Sequence, residues 1–385
     1  MRSPFRALLL ASLALLFLSA CEDPSNVGIS LVDEQAGEPE IVSVSPTPFE
    51  NEPLRDVTGN SPGTHRTLAG EVIDPVLGTL TAIGYLDFQA PTSPSDAFTT
   101  GPVTSVRLLM TRDYTYGDTT ATVSLILSGM EENWESLGAR ADTVLTAGAL
   151  VHTFSVSAQD TLITVPLPAS WVSEKEGLLR STTFTDDFHG FQLAWESGEA
   201  VLGFSPGTSS MEVVSGSDTL YFAITKTLST LTRANAPQLP EGRVLLQDGF
   251  GPGINLNFDF KAAAVSDNAL NRVIIRLPTD TETLRQQSPE HFYRPPIGLV
   301  GLFGITTEEN TLAVVEGRLD EDGVLSFEGS ALRNVFQQMM LDNNTFERFQ
   351  IWVPIEDNTI NPLLFYGPGT GAPQPEAVLT ITPVN

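Results

Sequence analysis

The chain has 385 residues with 31 glycines, 27 prolines and a single cysteine, and its 47 acidic against 20 basic side chains give a formal charge of −27. A surface this acidic repels phosphate backbones and anionic headgroups, which excludes nucleic-acid binding and electrostatic attachment to membranes. One cysteine excludes an internal disulfide framework, and the four histidines (His65, His152, His189, His291) show no paired metal-ligand spacing.

Arg2 and Arg6 precede an apolar run from Ala7 to Leu18, followed by the small residues Ser19 and Ala20. This is the layout of a secretory signal. The run is well short of the about 20 apolar residues a spanning helix needs, and no later stretch reaches that length. The tetrapeptide Leu18-Ser19-Ala20-Cys21 resembles the lipobox of bacterial lipoproteins. The resemblance implies removal of residues 1–20 as a signal peptide and a diacylglycerol on the Cys21 thiol. Lipidation explains an odd thiol in an exported chain, and two or more acyl chains, at about 0.8 kcal/mol per buried CH₂, anchor a protein stably. The expected location is the outer membrane or cell surface of a bacterium, Glu22 and Asp23 after the cysteine favouring the outer face. Only Lys175, Lys226 and Lys261 are lysines, a balance suited to high salt or a cation-rich cell surface.

Residues 21–66, rich in proline and acids, are expected to be the lipidated cysteine and a flexible tether, with one strand at Ile41–Val44. From Thr67 the pattern becomes β. Leu68–Gln89 is two strands around an Asp74-Pro75 turn closed by Gly78. Val103–Thr111 and Thr122–Met130 are expected to pair around a polar tip, Arg112–Thr120. Strands follow at 150–157, 161–167, 190–196, 200–204, 209–214 and 219–225, with a short helix over 170–179 capped by Ser170. Residues 227–241 lose the pattern and hold two prolines, so they are expected to be a linker or crossover between a first β-sandwich region, 67–226, and a second β-rich region, 242–385. The second region has strands at 243–247, 254–260, 272–277, 297–305, 311–319, 324–328, 349–354, 363–366 and 377–382. A helix at 331–341 is capped by Ser330, with Leu332, Val335, Phe336, Met339 and Met340 on one face. The fold class is mainly β: antiparallel, jelly-roll-like sandwich in one domain or two, with one or two short helices as minor covers.

The segments LAGEVIDPVLGTLTA, FHGFQLAW and RVLLQDGFGPG…LNRVIIRLP are similar to a family of uncharacterised bacterial surface lipoproteins with β-rich extracellular regions. The body also looks like jelly-roll modules that bind carbohydrate. Both resemblances imply sandwich domains at a cell surface, and neither brings catalytic residues.

The motifs that suggest chemistry fail on physical grounds. Gly203-Phe204-Ser205-Pro206-Gly207 matches the nucleophile-elbow pattern, but the residue after the serine is Pro206, which has no amide for an oxyanion hole, so a hairpin turn is expected. Gly249–Gly253 has neither phosphate-loop spacing nor a following helix and reads as a turn. Asp186, Asp187 and His189 read as a solvated loop. Asp320 and Asp322, in an Asp-Gly turn, offer calcium fewer than the about six to eight oxygens it takes. Tyr114, Tyr116 and Trp134, near loops at one end of the first sandwich, are candidates for stacking on sugar rings, although Trp134 also suits a plug at the sandwich end. Trp195 and Trp352 are expected in the core.

The function expected from these features is that of a lipid-anchored cell-envelope protein whose β-sandwich body binds or scaffolds without catalysis and without a cofactor. Its partners would be the membrane, through Cys21, and a surface glycan or an envelope protein. One alternative is a glycan-binding surface lipoprotein using the loop aromatics. Another is a glycoside hydrolase-like enzyme, which needs two carboxylates about 5–9 Å apart and has no pair assigned to that role.

Overall fold

The structure, a computed structural model, describes residues 38–51, 65–136, 143, 145–248, 253–261, 263, 265, 266, 268–308, 310–341, 346–353, 359–369 and 373–383. The fold begins inside the expected tether: β1 (Glu40–Val44) and β2 (Phe49–Asn51) both belong to a nine-stranded antiparallel sheet. The chain then builds a ten-stranded sheet, mostly from β3 (Thr67–Asp74), β4 (Gly78–Gln89), β5 (Val103–Asp118), β6 (Thr122–Met130), β7 (Ala147–Ser157), β8 (Leu162–Pro166), β9 (Phe191–Ser197), β10 (Ala200–Ser215) and β11 (Asp218–Ala234). Helices α1 (Asp96–Thr100), α2 (Ala169–Leu179) and α3 (Phe184–Asp187) cover it. Beyond lie β12 (Arg243–Gln247), β13 (Ile254–Leu256), β14 (Asn268–Pro278), α4 (Thr281–Gln286), β15 (Phe292–Tyr293), β16 (Val300–Thr306), β17 (Thr311–Leu319) and β18 (Val324–Glu328). Helix α5 (Ser330–Met340) and strands β19 (Phe346–Trp352), β20 (Pro362–Tyr366) and β21 (Glu376–Pro383) complete the body.

The nine-stranded sheet runs β1-β21-β14-β18-β17-β16-β19-β13-β2. Its two edge strands, β1 and β2, are joined by residues 45–48 alone. In a flat sheet, strands about 4.8 Å apart would hold these edges about 38 Å apart, whereas the connection reaches at most about 17 Å. The sheet therefore curls until its edges approach, and the enclosed space is the second-half core. Helix α5 covers that core with one face: Leu332, Phe336 and Met340, spaced by about one helical turn, are fully buried among Phe258, Phe260 and Phe349, while Ala331, Arg333, Asn334 and Gln338 are exposed. Ser330 does not cap the helix through its side chain. Gly329 holds the cap position, as Pro168 does for α2 in place of Ser170.

Phe49 of β2 packs edge-on against Phe365 with ring centroids 6.3 Å apart, and is 7% exposed. Phe49→Ala is expected to lower stability by about 3 kcal/mol. The check is denaturant unfolding, and an unchanged midpoint would mean that residues 40–51 are tether after all.

The ten-stranded sheet runs β15-β5-β10-β11-β4-β9-β6-β7, with β3 between β10 and β4 and β8 beside β5. Its long strands change neighbours along their length. β10 pairs with β3 over residues 200–204 and with β11 over 210–215, while β5 follows its other side. The change falls at a register shift between Ser205 and Ser210, so the Gly203–Gly207 motif is an irregularity inside one strand, neither elbow nor hairpin. Ser209 repairs the ladder there, accepting the Thr111 amide at 3.0 Å and donating to the Ser205 carbonyl at 2.5 Å.

Two further expectations are corrected. β5 pairs with β10, β8 and β15, and β6 with β7 and β9, so β5 and β6 are not a hairpin. The expected linker 227–241 is strand as far as Ala234, because β11 stays paired with β4 to that point; the irregular connection is 235–242.

Each sheet has its own core, and a third cluster joins them. Leu68, Val72, Leu80, Tyr114 and Tyr116 of the first region pack with Leu245, Ile360 and Leu364 of the second, where β12 and β20 form a two-stranded ribbon.

Candidate functional site

The junction between the two regions holds the most strongly perturbed ionisable groups. The Asp74-Pro75 turn forms as the sequence predicts, with Asp74 Oδ1 accepting the amides of Val76 at 2.7 Å and Leu77 at 3.0 Å and Gly78 at a φ of 88°. The same carboxylate takes both forks of Arg294, at 2.7 and 2.9 Å, and the Tyr116 hydroxyl at 2.5 Å. Burial pushes the Asp74 carboxyl up, but the bonds and charge of Arg294, with those of Tyr116 and the Val76 amide, outweigh it and hold the group below the usual carboxylate range. Burial and the Asp74 charge raise the Tyr116 hydroxyl well above its ordinary value. Every oxygen of Asp74 is thus engaged internally, and the cluster serves cohesion between the regions.

The candidate sugar-stacking aromatics are all buried: Tyr114 and Tyr116 lie in a strand at the same junction rather than in a loop, whereas Trp134 does lie in the loop after β6 but is turned inward. Tyr114 and Tyr116 lie in β5, 6% and 0% exposed. Tyr114 donates to Asn361 Oδ1 at 2.8 Å and accepts the Ile360 amide at 3.2 Å, and burial pushes its hydroxyl far up. Trp134 is 4% exposed, packs on Tyr85 and donates its indole N–H to the His189 carbonyl at 2.8 Å. None of the three offers a ring face to a sugar. Trp352 is partly buried, stacked on Phe303 with centroids 3.6 Å apart, and Trp195 is partly buried against the first core.

The metal candidates also resolve into turns. Asp320 accepts the Val324 amide at 2.7 Å across a turn in which Gly323 has a φ of 77°. Asp187, at the end of α3, accepts the Thr183 hydroxyl at 2.6 Å. Among the described residues no three His, Cys, Asp or Glu side chains cluster as a metal site would require. Cys21 and residues 249–252 lie outside the described residues.

A groove of about 280 Å³ lies between α2 and the start of β7. Helix α2 turns Trp171, Val172 and Leu179 into the core, which leaves Glu174 and Lys175 on the groove flank. The turn from α3 into β9 forms the second wall. Gly190 there has a φ of 85°, and a Cβ would stand 2.0 Å from the Leu86 carbonyl, so only glycine lets this turn sit so close to β4. The floor is the end of the β6–β7 ladder, whose register slips twice between Leu127 and Met130. Gly129 adds space, since nothing lies within 4 Å of where its Cβ would be. Trp171 lines the groove, with its ring centroid 5.6 Å from that of Phe191 and 6.4 Å from that of Phe188. Sequence reading missed this site because its parts come from four separated segments; the available signal was the absence of any charge in residues 147–157.

Compared with protein-family models, with curated proteins and with solved structures, the chain gives no match in any of the three.

Proposed function

We propose that the protein is a lipid-anchored cell-envelope protein whose β-sandwich body binds or scaffolds without catalysis. The observation that carries this reading is the lipobox-like Leu18-Ser19-Ala20-Cys21 directly behind an apolar signal run. Two structural facts support it. No helix among the described residues is long and apolar enough to cross a membrane. Among the described residues the first strand begins at Glu40, 18 intervening residues beyond Cys21 in the sequence. The buried polar cluster of Asp74, Tyr116 and Arg294 is engaged in holding the body together.

Cys21→Ser is expected to move the protein from the membrane fraction to the soluble fraction and to abolish labelling with radioactive fatty acid. Membrane retention equal to that of the wild type would remove the anchor from the reading.

A further inference from the structure

We propose that the outer edge of β7, together with the groove between β7 and α2, binds an extended segment of another protein that carries a basic side chain among β-forming residues. This names a partner for the binding role proposed above, and it stands on the body alone.

The edge is the first observation. β7 ends the ten-stranded sheet and pairs only with β6, so among the described residues no strand lies along its outer row of N–H and C=O groups. Sheet edges are normally guarded by shortness, charge or proline, and the other end strands here follow that rule. β1 has five residues and includes Glu40; β2 has three and includes Glu50. β15 has two, flanked by Pro289 and Pro295, and β8 has five, ending in Pro166. β7 has eleven residues, AGALVHTFSVS, with no acid, lysine, arginine or proline, and Leu150 on it is 65% exposed. In a chain otherwise dense with carboxylates, this edge is open to a strand from outside.

The groove is the second. A strand laid along β7 directs alternate side chains to the α2 side, where the groove begins. Its volume of about 280 Å³ lies just under the about 300–1,000 Å³ of sites that enclose a whole small ligand, and it suits one long side chain. Trp171 supplies an apolar wall, and Glu131, Glu174 and Asp187 stand around the opening. The cation beside them, Lys175, is paired with Glu174 at 2.9 Å.

Charge decides the occupant. A second copy of this chain would bring the same three acids and the same negative body to the contact, and like charges oppose it. A basic side chain is complementary. Arginine fits best, because its guanidinium plane can lie against an indole while its N–H groups bond carboxylates.

The test uses the full chain in detergent, titrated with a synthetic peptide alternating Thr and Val around one Arg, and with the same peptide carrying Glu in place of Arg. Tryptophan fluorescence reports binding and amide exchange locates it. The Arg peptide is expected to bind and to slow exchange across residues 147–157, and the Glu peptide to bind at least about tenfold more weakly. Gly129→Leu, which fills the groove, and Leu150→Lys, which places a cation on the edge, should each weaken the Arg peptide by about tenfold. Leu150 is exposed, so its variant keeps the test valid if Gly129→Leu lowers the melting temperature. Equal binding of the two peptides, or no binding of either below about 1 mM, overturns the proposal. So does protection of residues 147–157 that grows with protein concentration in the absence of peptide, which would place a second copy there. Purified protein in detergent gives the same answer with or without the lipid, so a failure here is distinguishable from a failure of the Cys21 anchor.

Discussion

Replacing Arg294 by Met is expected to lower the stability of the body by about 3–5 kcal/mol, because it leaves the Asp74 carboxylate buried without its charge partner. The pair is well shielded: the Arg294 side chain is 8% exposed and that of Asp74 0%. The pH dependence gives the sharper test. In the wild type the Asp74 carboxyl sits below its ordinary value of 3.8, so its contribution is full above that value and is lost as pH falls through the folded one. In Arg294→Met the surviving burial penalty raises the carboxyl instead, so the variant gains stability as acid protonates it. The gap between the two proteins should therefore narrow as pH is lowered from 7 towards about 4. Urea unfolding at several pH values measures the gap, and a gap independent of pH would show that Arg294 acts through packing rather than through Asp74. The double variant Asp74→Asn with Arg294→Met should be less damaged than Arg294→Met alone, since it leaves no buried charge.

Phe336→Ala is expected to cost about 3–5 kcal/mol. Phe336 is fully buried, with ring centroids 5.2 Å from both Phe258 and Phe260 and 5.7 Å from Phe349. These neighbours come from separate parts of the curled sheet and its connections, so none can move in to close the void without disturbing the ladder. Phe336→Leu keeps most of the volume and should lose about 1.5 kcal/mol or less. Guanidinium unfolding of both variants separates the possibilities. A loss below about 1 kcal/mol for the alanine variant would show that Phe336 is not a packing centre of that core.

Strand positions were legible in the sequence; strand partners were not. Period-two alternation located β6, β12, β17 and β18 to the residue, and the Asp74-Pro75 turn was readable from its chemistry. Partner choice depends on contacts distant in sequence. Thus β5 and β6 look like a hairpin, yet β5 lies beside β10, nearly a hundred residues on. The supposed polar tip was misread for a related reason. Arg112, Asp113, Thr115 and Asp118 look solvated, but residues 114–117 are buried because the second region covers them. That same cover took Tyr114 and Tyr116 out of reach of any sugar. The break assumed at residue 227 follows from a run of Thr and Ser, residues that are at home in a strand when a partner such as β4 accompanies them. In α5 the helical face was legible, and Leu332, Phe336 and Met340 on it are the residues the core takes.

The pairing of β1 with β21 has a mechanical meaning. Glu40 stands opposite Ile381, so the chain ahead of β1 joins the body beside the end of its last strand. With the Cys21 anchor and the β7 partner proposed above, a pull between the two would load the five-residue β1 ladder first, with β2 next in line across the short connection. Both lie at sheet edges, yet Val44 and Phe49 carry them into the same core that α5 packs against. Shedding the first strand therefore withdraws Val44 from the core, so the force reaches the core at the first step.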